Sequence, residues 1–540
     1  MRRFTALYRD LDATNRSGEK QAILAAYFRD APAADAAWAL AFLSGRPATA
    51  KRPISSAQLR DWASEKSGIP AWLIDACRDD VGDQSETLAL LLGDGPCSAL
   101  PDAPPEPLHR FVDRLRNLGA AEGDKKKPIL FDAWDSLDQL GKLVFHKFLS
   151  LTFRLGVQRK MLIRALADAA SLDPAIIEQR LTGGFTPTAA AFAALLDPGT
   201  NPSADPARPF PFCLAHPLDA PPESLGDPAL WQAEPKWDGI RVQIIRRPGV
   251  TLLWSRGEER LNDSFPDLAA AAAALPAHAV IDGEILAWDA AHARPFPFQV
   301  LQRRINRLQR DLLLFDDVPV RFLAYDLLEL NGEDLRPQPL IGRRAALESF
   351  LSPHPSTHIH LSPTEPFTSW PDLAARRAAS RSRAVEGLML KRLDSPYATG
   401  RARGDWWKWK VDPYTIDAVM IYAQQGSGRR AGLFTDYTFA LWHNGALVPI
   451  AKAYSGLDAA EIEQVNAWVR KHATAARGPV RTVPPEQVFE LAFEGLQEST
   501  RHKSGIALRF PRIARWRRDK KPQDADTLES LRALMTAPPR

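Results

Sequence analysis

Apolar positions recur at helical spacing through the first part of the chain and at strand spacing further on. Glu19–Phe28 and Ala33–Leu43 carry apolar residues three and four apart with abundant Ala and Leu, and predict helices. Ser56 before Ala57-Gln58-Leu59 reads as a helix N-cap, with Leu59 and Trp62 facing inward. Lys125-Lys126-Lys127 with Pro128 reads as a basic loop. Ser136 to Ala170 predicts two helices, the first with Leu140, Leu143, Val144, Phe148 and Leu151 on one face. Arg154-Leu155-Gly156-Val157 breaks that pattern, and the second helix starts at Arg159 and carries Arg159, Lys160 and Arg164. Asp197 to Pro228, rich in Pro with Gly and Ser, reads as an extended linker. Residues 1–205 are therefore expected to form an all-α domain.

Beyond Trp231 strands and helices alternate. The strand candidates are Arg241–Ile245, Val250–Trp254, Ala279–Leu286, Val320–Leu328 and Gly387–Lys391. The helix candidates are Phe265–Ala274, Phe298–Asn306, Arg343–Phe350 and Leu373–Arg383. Strands return without regular βαβ spacing, so residues 206–412 predict an α+β domain of antiparallel sheets flanked by helices. From Ile416 short strands dominate: Ala418–Tyr422, Thr438–Trp442, Ala446–Pro449 and Val488–Glu494, with a hairpin turn at His443-Asn444-Gly445 and one helix at Ala459–His472. Five or so strands with one helix predict a small β-barrel of the OB type over residues 413–540. No internal repeat is present.

Composition narrows the class. Of 540 residues 45% are apolar and 25% charged, the balance of a globular protein. No uncharged apolar run is long enough to span a bilayer, and Met1-Arg2-Arg3-Phe4 leads into a charged helix rather than a signal peptide, so a cytoplasmic protein is expected. Cys77, Cys97 and Cys213 lack metal-ligand spacing and argue against zinc. The net charge of +4 says little, but Arg501 to Lys521 holds nine Lys or Arg against one acid, Asp519, which points to a polyanionic ligand.

The chemistry centres on Glu234-Pro235-Lys236-Trp237-Asp238-Gly239-Ile240-Arg241, a lysine held between acids and followed by the alternating apolar run Ile240, Val242, Ile244. Lys236 is expected to open or lead into a strand. Desolvation and neighbouring cations favour the neutral amine that a lysine nucleophile needs. Downstream come Ser255-Arg256-Gly257, Asp282-Gly283-Glu284, the aromatic strand Phe322–Leu328 with Tyr325, and Glu386 at the head of Gly387–Lys391. Next is Trp406-Trp407-Lys408-Trp409-Lys410, where alternation puts Lys408 and Lys410 on one face and Trp407 and Trp409 on the other. Last are Arg509, Arg512, Arg515, Arg517, Asp519 and Lys520. No Gly-x-x-x-x-Gly-Lys-Ser/Thr occurs, which excludes a P-loop ATPase.

Taken in this order, from about residue 210 to 521, these six motifs resemble those of ATP-dependent DNA ligases, in the nucleotidyltransferase superfamily with RNA ligases and capping enzymes. The helical part, around Arg154–Val157, resembles the DNA-binding domain ahead of the catalytic core in larger ligases. The resemblance implies ATP as cofactor with Mg²⁺ (Mn²⁺ as a substitute), and nicked double-stranded DNA as partner. It implies a lysyl-AMP on Lys236, transfer of AMP to the 5′-phosphate, and attack by the 3′-hydroxyl. It assigns Glu234 to the adenine edge, Arg241 to the ribose, Tyr325 to stacking on adenine and Arg256 to the 5′-phosphate of the nick. Glu284 and Glu386 fall to Mg²⁺ or the ribose, Lys408 and Lys410 to the α-phosphate, and Arg515 and Lys520 to the outer phosphates. Arg154, Arg159 and Lys160 are expected on the DNA backbone. Arg518 stands where the family often has an acid, so the arginine that meets the triphosphate stays open. Asp412-Pro413-Tyr414 is the expected hinge. A monomer encircling DNA in the nucleoid, acting in repair or recombination beside nuclease or helicase partners, is the broader expectation. The long helical part and the Arg509–Lys520 pattern argue against an RNA ligase or a GTP-using capping enzyme.

Overall fold

The computed structural model describes residues 1–49, 51–96, 106–150, 153, 155–200, 206–305, 318–400, 404–426 and 432–536. It divides into two compact units, one of Met1–Ser171, Thr186–Leu196 and Pro413–Ala537, the other of Leu172–Phe185 with Asp197–Asp412. The boundary expected at 205 and the residues Cys97, Leu151, Arg154 and Asn306 lie outside the described residues.

The N-terminal part of the first unit is helical throughout, as the periodicity predicts. Ala33–Leu43 is a helix with the expected ends, and Ser17–Asp30, Gln139–Ser150 and Arg159–Ala170 match the remaining patterns to within a few residues. Three local readings need correction. Ser55, not Ser56, caps its helix, in a reciprocal pairing with Gln58; Leu59 is buried, but Ala63 rather than Trp62 fills the next inward position. Lys126-Lys127-Pro128 is not a loop but the first turn of the helix Lys126–Ser136. Proline fits there because the first-turn N–H groups have no intrahelical acceptor. Gln139–Ser150 is buried on more than its apolar face: Lys142 and His146 are also inside. His146 accepts from the Trp134 indole at 2.8 Å, and burial holds its pKa down to about 4.

The second unit contains two sheets. In chain order its strands are β1 (His216–Pro217), β2 (Trp231–Pro235), β3 (Ile240–Arg247), β4 (Val250–Ser255), β5 (Ala279–Asp289), β6 (Arg294–Pro295), β7 (Val320–Leu330), β8 (Glu333–Asp334), β9 (Ile359–Leu361), β10 (Gly387–Arg392) and β11 (Trp406–Lys410). One sheet runs β4-β3-β5-β7-β8, with β6 on β5 and β9 on β7; the other runs β1-β11-β10-β2. All pairings are antiparallel except β1 with β11 and β7 with β9. The large sheet buries Val242, Ile244, Ile281, Ile285 and Phe322 in a core with Leu268, Leu301 and Leu347 of the flanking helices. A smaller cluster holds Ile245, Val280 and Leu328 with Trp406 and Tyr397. Phe210 and Cys213 belong to that cluster, which corrects the reading of Asp197–Pro228 as a bare linker. The Phe210 backbone exchanges both its hydrogen bonds with the Gln243 amide, at 2.8 and 2.9 Å. Phe210 and Phe212, both buried, give this proline-rich stretch enough apolar surface to be drawn inside.

The C-terminal strands of the first unit are β12 (Tyr414–Gln425), β13 (Phe434–His443), β14 (Ala446–Ala453), β15 (Ala475–Arg477), β16 (Val480–Thr482), β17 (Val488–Phe493), β18 (Gly495–Glu498), β19 (Ile506–Arg509) and β20 (Arg512–Trp516). The long β12 pairs β13 on one edge, and β17 and then β16 along the other; β17 also pairs β20. The helix Ala459–His472 has the expected ends, and the hairpin at His443-Asn444-Gly445 joins β13 to β14. This is the OB-type fold expected. Among the described residues nine strands replace the five or so anticipated, because several are too short to show alternation. Leu528 and Leu531 of the last helix complete the core.

Candidate active site

Strand register builds one wall of the site. Glu234 lies opposite Met389, and Met389 opposite Lys408; Lys391 faces Gln232 and Trp406, and Gly387 faces Lys410. Directly opposed residues share a face, so Glu234, Lys391, Lys408 and Lys410 project from one face of the sheet, with Met389 and Trp406 among them. The alternate positions Trp231, Ala233, Leu388, Leu390 and Trp409 cluster on the other face with Trp370 and Leu373. The sequence alternation at Trp406–Lys410 thus reads correctly, and the apolar face anchors the sheet while the polar face is left for chemistry.

The large sheet supplies the opposite wall. Arg241 pairs with Glu284 and Gln243 with Asp282. Between β5 and β7 the register shifts, Asp282 facing Asp326 and Gly283 facing Ala324, so Tyr325 is the extra residue of a bulge. Bulges re-aim side chains, and Tyr325 lines the cleft, its hydroxyl held protonated by burial.

The cleft has a volume of about 510 Å³. Its lining includes Glu234, Lys236, Arg241, Arg256, Glu284, Tyr325, Glu386 and Lys408. Lys236 leads into β3, as expected, from a turn that follows β2, a strand that escaped the sequence pattern. Its N–H donates to the Gly387 carbonyl at 2.8 Å, and its own carbonyl accepts from Glu386 N–H at 2.9 Å. The backbone therefore fixes the two side chains beside each other: Lys236 Nζ is 2.5 Å from Glu386 Oε2, and Lys410 Nζ is 3.6 Å from the same oxygen. Gly239 is required for this approach, since a Cβ there would fall 2.3 Å from the Ile285 carbonyl oxygen. Trp237 donates its indole N–H to Ser362 Oγ at 3.0 Å, which holds the turn from the other side.

Arg241 is committed within the wall. It donates to Asp282 Oδ2 at 2.7 Å and to the Cys213 carbonyl at 2.6 Å, while Tyr397 donates to the same Asp282 oxygen at 2.6 Å. Glu284 is in the opposite situation. Burial raises its pKa to about 7 despite the nearby cations Lys236, Arg241 and Arg256. A carboxyl held so high gains from any cation brought to it. Among the described residues no group of three or more His, Cys, Asp or Glu could hold a metal by itself. Two carboxylates in a cleft also lined by Lys236, Arg256 and Lys408 nevertheless suit Mg²⁺, which commonly takes one or two protein carboxylates and completes its shell with phosphate oxygens and water.

Other expected residues belong to the first unit. Arg515 pairs with Glu490 at 3.0 Å, and Lys520 with Asp417 at 2.5 Å. Arg517 is shared between Asp417 at 2.9 Å and Asp519 at 2.8 Å. Arg159 and Lys160 are exposed at the start of their helix. Sequence reasoning gave no role to Asp282, Lys391 or Tyr397. Asp282 and Lys391 stand inside motifs that were recognised, whereas Tyr397 carries no local signal.

The two-sheet cleft around a lysine is that of a nucleotidyltransferase, and comparison with known proteins narrows the class. The DNA ligase N terminus family matches residues 1–167, the ATP dependent DNA ligase domain 213–410, and the ATP dependent DNA ligase C terminal region 430–520. A probable DNA ligase of Koribacter versatilis (strain Ellin345) is 32% identical over 96% of this chain and 93% of its own length. A DNA ligase of Methanoculleus marisnigri is 30% identical over 87% of this chain and 88% of its own. A solved structure described as Pmar-Lig_Pre shares the fold, with a TM-score of 0.58 at 16% identity, over 95% of this chain and 99% of that one. The chain belongs to the ATP-dependent DNA ligases, enzymes that seal nicks in DNA using ATP and a divalent metal. No helix among the described residues is long and apolar enough to cross a membrane.

Proposed function

We propose that this ligase works through a covalent lysyl-AMP on Lys236, and that its sealing serves DNA repair or recombination. The observation that carries the reading is the pinning of Lys236 against Glu386, with Nζ 2.5 Å from Oε2, in a cleft that also holds Glu234, Arg241, Glu284, Tyr325 and Lys408. In the first step the Nζ lone pair forms a bond to the α-phosphorus of ATP. The bridging α–β P–O bond breaks, and pyrophosphate leaves with that electron pair. The ammonium must first lose a proton, and Glu386 Oε2 is placed to hold it. Lys408 and Lys410 stabilise the charge that builds on the α-phosphate. Mg²⁺, held by Glu284 and Glu386, would neutralise phosphate charge there when bound.

Glu234 is assigned to the adenine edge, Tyr325 to stacking on the base and Arg241 to the ribose. Arg256 is assigned to the 5′-phosphate of the nick, which takes AMP from Lys236 and is then attacked by the 3′-hydroxyl with release of AMP. Arg515 and Lys520 are assigned to the outer phosphates of ATP, with movement about Asp412-Pro413-Tyr414 between steps. Arg159 and Lys160, with Arg154, are assigned to the DNA backbone, whose phosphates they can bind without reading sequence. The protein is expected to act as a monomer around DNA. The test uses α-labelled ATP and Mg²⁺ with wild type beside Lys236→Ala, followed by a chase with nicked duplex. A labelled band that requires Lys236 and passes into sealed DNA is expected. Labelling retained by Lys236→Ala would place the nucleophile elsewhere.

A further inference from the structure

Lys391 is a buried cation that the reaction scheme leaves without a task. Its side chain and that of Glu234 are each 2% exposed, and Nζ is 2.8 Å from Glu234 Oε2. The ammonium also lies 4.3 Å from the centroids of both the Tyr325 and the Trp406 rings. Register explains the placement: Lys391 is directly opposite Gln232 and Trp406, and diagonal to Glu234 on the same face. Gln232 completes the arrangement by donating its amide to Glu234 Oε1 at 2.6 Å. A lysine is costly to bury unless it is paired, and two aromatic faces with one carboxylate form a complete setting for it. Both Glu234 and Lys391 line the cleft.

We propose that Lys391 is a positioning residue for nucleobase selection: it holds the Glu234 carboxylate fixed as a hydrogen-bond acceptor. The proposal rests on the assignment of Glu234 to the adenine edge. A carboxylate offers two lone-pair directions on each oxygen, so one direction on each remains open after Gln232 and Lys391 are served. Such a group accepts from the 6-amino group of adenine, and held in that place it meets only the oxygen of a 6-oxo purine. Without the Lys391 charge, Oε2 has no cation to hold it and the carboxylate is free to turn. It can then accept from the N1–H that a 6-oxo purine carries. Selectivity for the 6-amino base therefore resides in the pair, not in Glu234 alone.

The experiment compares self-adenylylation by ATP with self-inosinylation by inosine triphosphate, in full-length wild type, Lys391→Met, Lys391→Gln and Lys391→Arg. The readout is the ratio of kcat/KM for the two nucleotides, which a general loss of stability leaves unchanged. Wild type is expected to prefer ATP, and Lys391→Met to lower that preference about tenfold, the worth of one hydrogen bond to a charged group. Lys391→Arg, which keeps the charge, is expected to restore most of it. Lys391→Gln can still donate to Glu234 but carries no charge, and is expected to behave like the methionine variant; it carries the test if Lys391→Met does not fold. An ATP preference unchanged in Lys391→Met or in Lys391→Gln overturns the proposal, as does an arginine variant no better than the methionine. Equal use of both nucleotides by wild type overturns the assignment of Glu234 itself, which is a separate failure.

Discussion

Glu284→Gln isolates the charge of the most perturbed carboxyl in the cleft. Glu284 is half-buried in the cleft wall, and burial outweighs the attraction of Lys236, Arg241 and Arg256, raising its pKa from 4.5 to about 7. A group whose folded pKa lies above its unfolded value favours the folded state below the unfolded pKa, and loses that contribution as pH rises through the folded one. Wild type should therefore weaken between about pH 4.5 and 7, whereas glutamine, which matches the protonated carboxyl in shape, should not. A difference of about 2.5 pH units corresponds to roughly 3 kcal/mol as an upper bound. For a unit of this size that is about 6–12 °C in melting temperature. The assay is calorimetric melting of both proteins at pH 5 and pH 8, without nucleotide or divalent ion. Glu284→Gln should melt higher than wild type at pH 8, and the gap should shrink strongly at pH 5. A gap equal at both pH values would refute the reasoning, since the carboxyl would then carry no burial penalty. Adding Mg²⁺ and ATP at pH 8 should stabilise wild type more than the variant.

Gly387→Ala should cost more than about 3 kcal/mol: the residue has φ +134, and a Cβ there would fall 2.3 Å from the Trp409 carbonyl oxygen. Because Gly387 adjoins Glu386, self-adenylylation should fall with the melting temperature, and a variant with wild-type values for both would contradict the packing. Replacing Arg159 and Lys160 together with Ala should reduce the slope of log affinity for nicked DNA against log salt by about 2, near 0.9 per phosphate contact; an unchanged slope in a binding titration would remove them from the interface. Arg515→Ala with Lys520→Ala should slow self-adenylylation more than the sealing of a pre-adenylylated nick, and equal loss in the two assays would reject a role confined to ATP. Point variants suit this question better than removal of residues 501–540. That deletion would take away β19, β20 and the core residues Leu528 and Leu531.

What the sequence carried well was alternation and motif order. The strands β3, β4, β5, β7 and β10 and the helices Ala33–Leu43 and Ala459–His472 are long enough for period 2 or 3.6 to dominate. What it carried poorly was anything set by pairing across the chain. β2 has five residues with a proline at its end, and nothing local marks it as a strand; it forms because β10 pairs along its whole length. The Phe210 segment reads as a linker on composition, and becomes core because Gln243 satisfies its backbone. Tyr325 reads as a strand aromatic, but the bulge that aims it depends on the register between β5 and β7.

The same distinction explains why the motifs were legible and their connections were not. Lys236 and Glu386 are 150 positions apart, and each stands in a short pattern that identifies it alone. Their meeting depends on two backbone hydrogen bonds between the β2–β3 turn and the start of β10, an extension of sheet pairing that no local pattern encodes. Lys391 is the sharper case. From sequence it ends a strand of apolar residues, where a lysine ordinarily points to solvent. Register instead turns it inward, onto Glu234, between two aromatic rings supplied by β7 and β11. A buried pair of this kind is poor evidence of stability, because desolvation offsets its attraction. Its presence on the cleft wall is therefore better explained by what it does to the carboxylate than by what it adds to the fold.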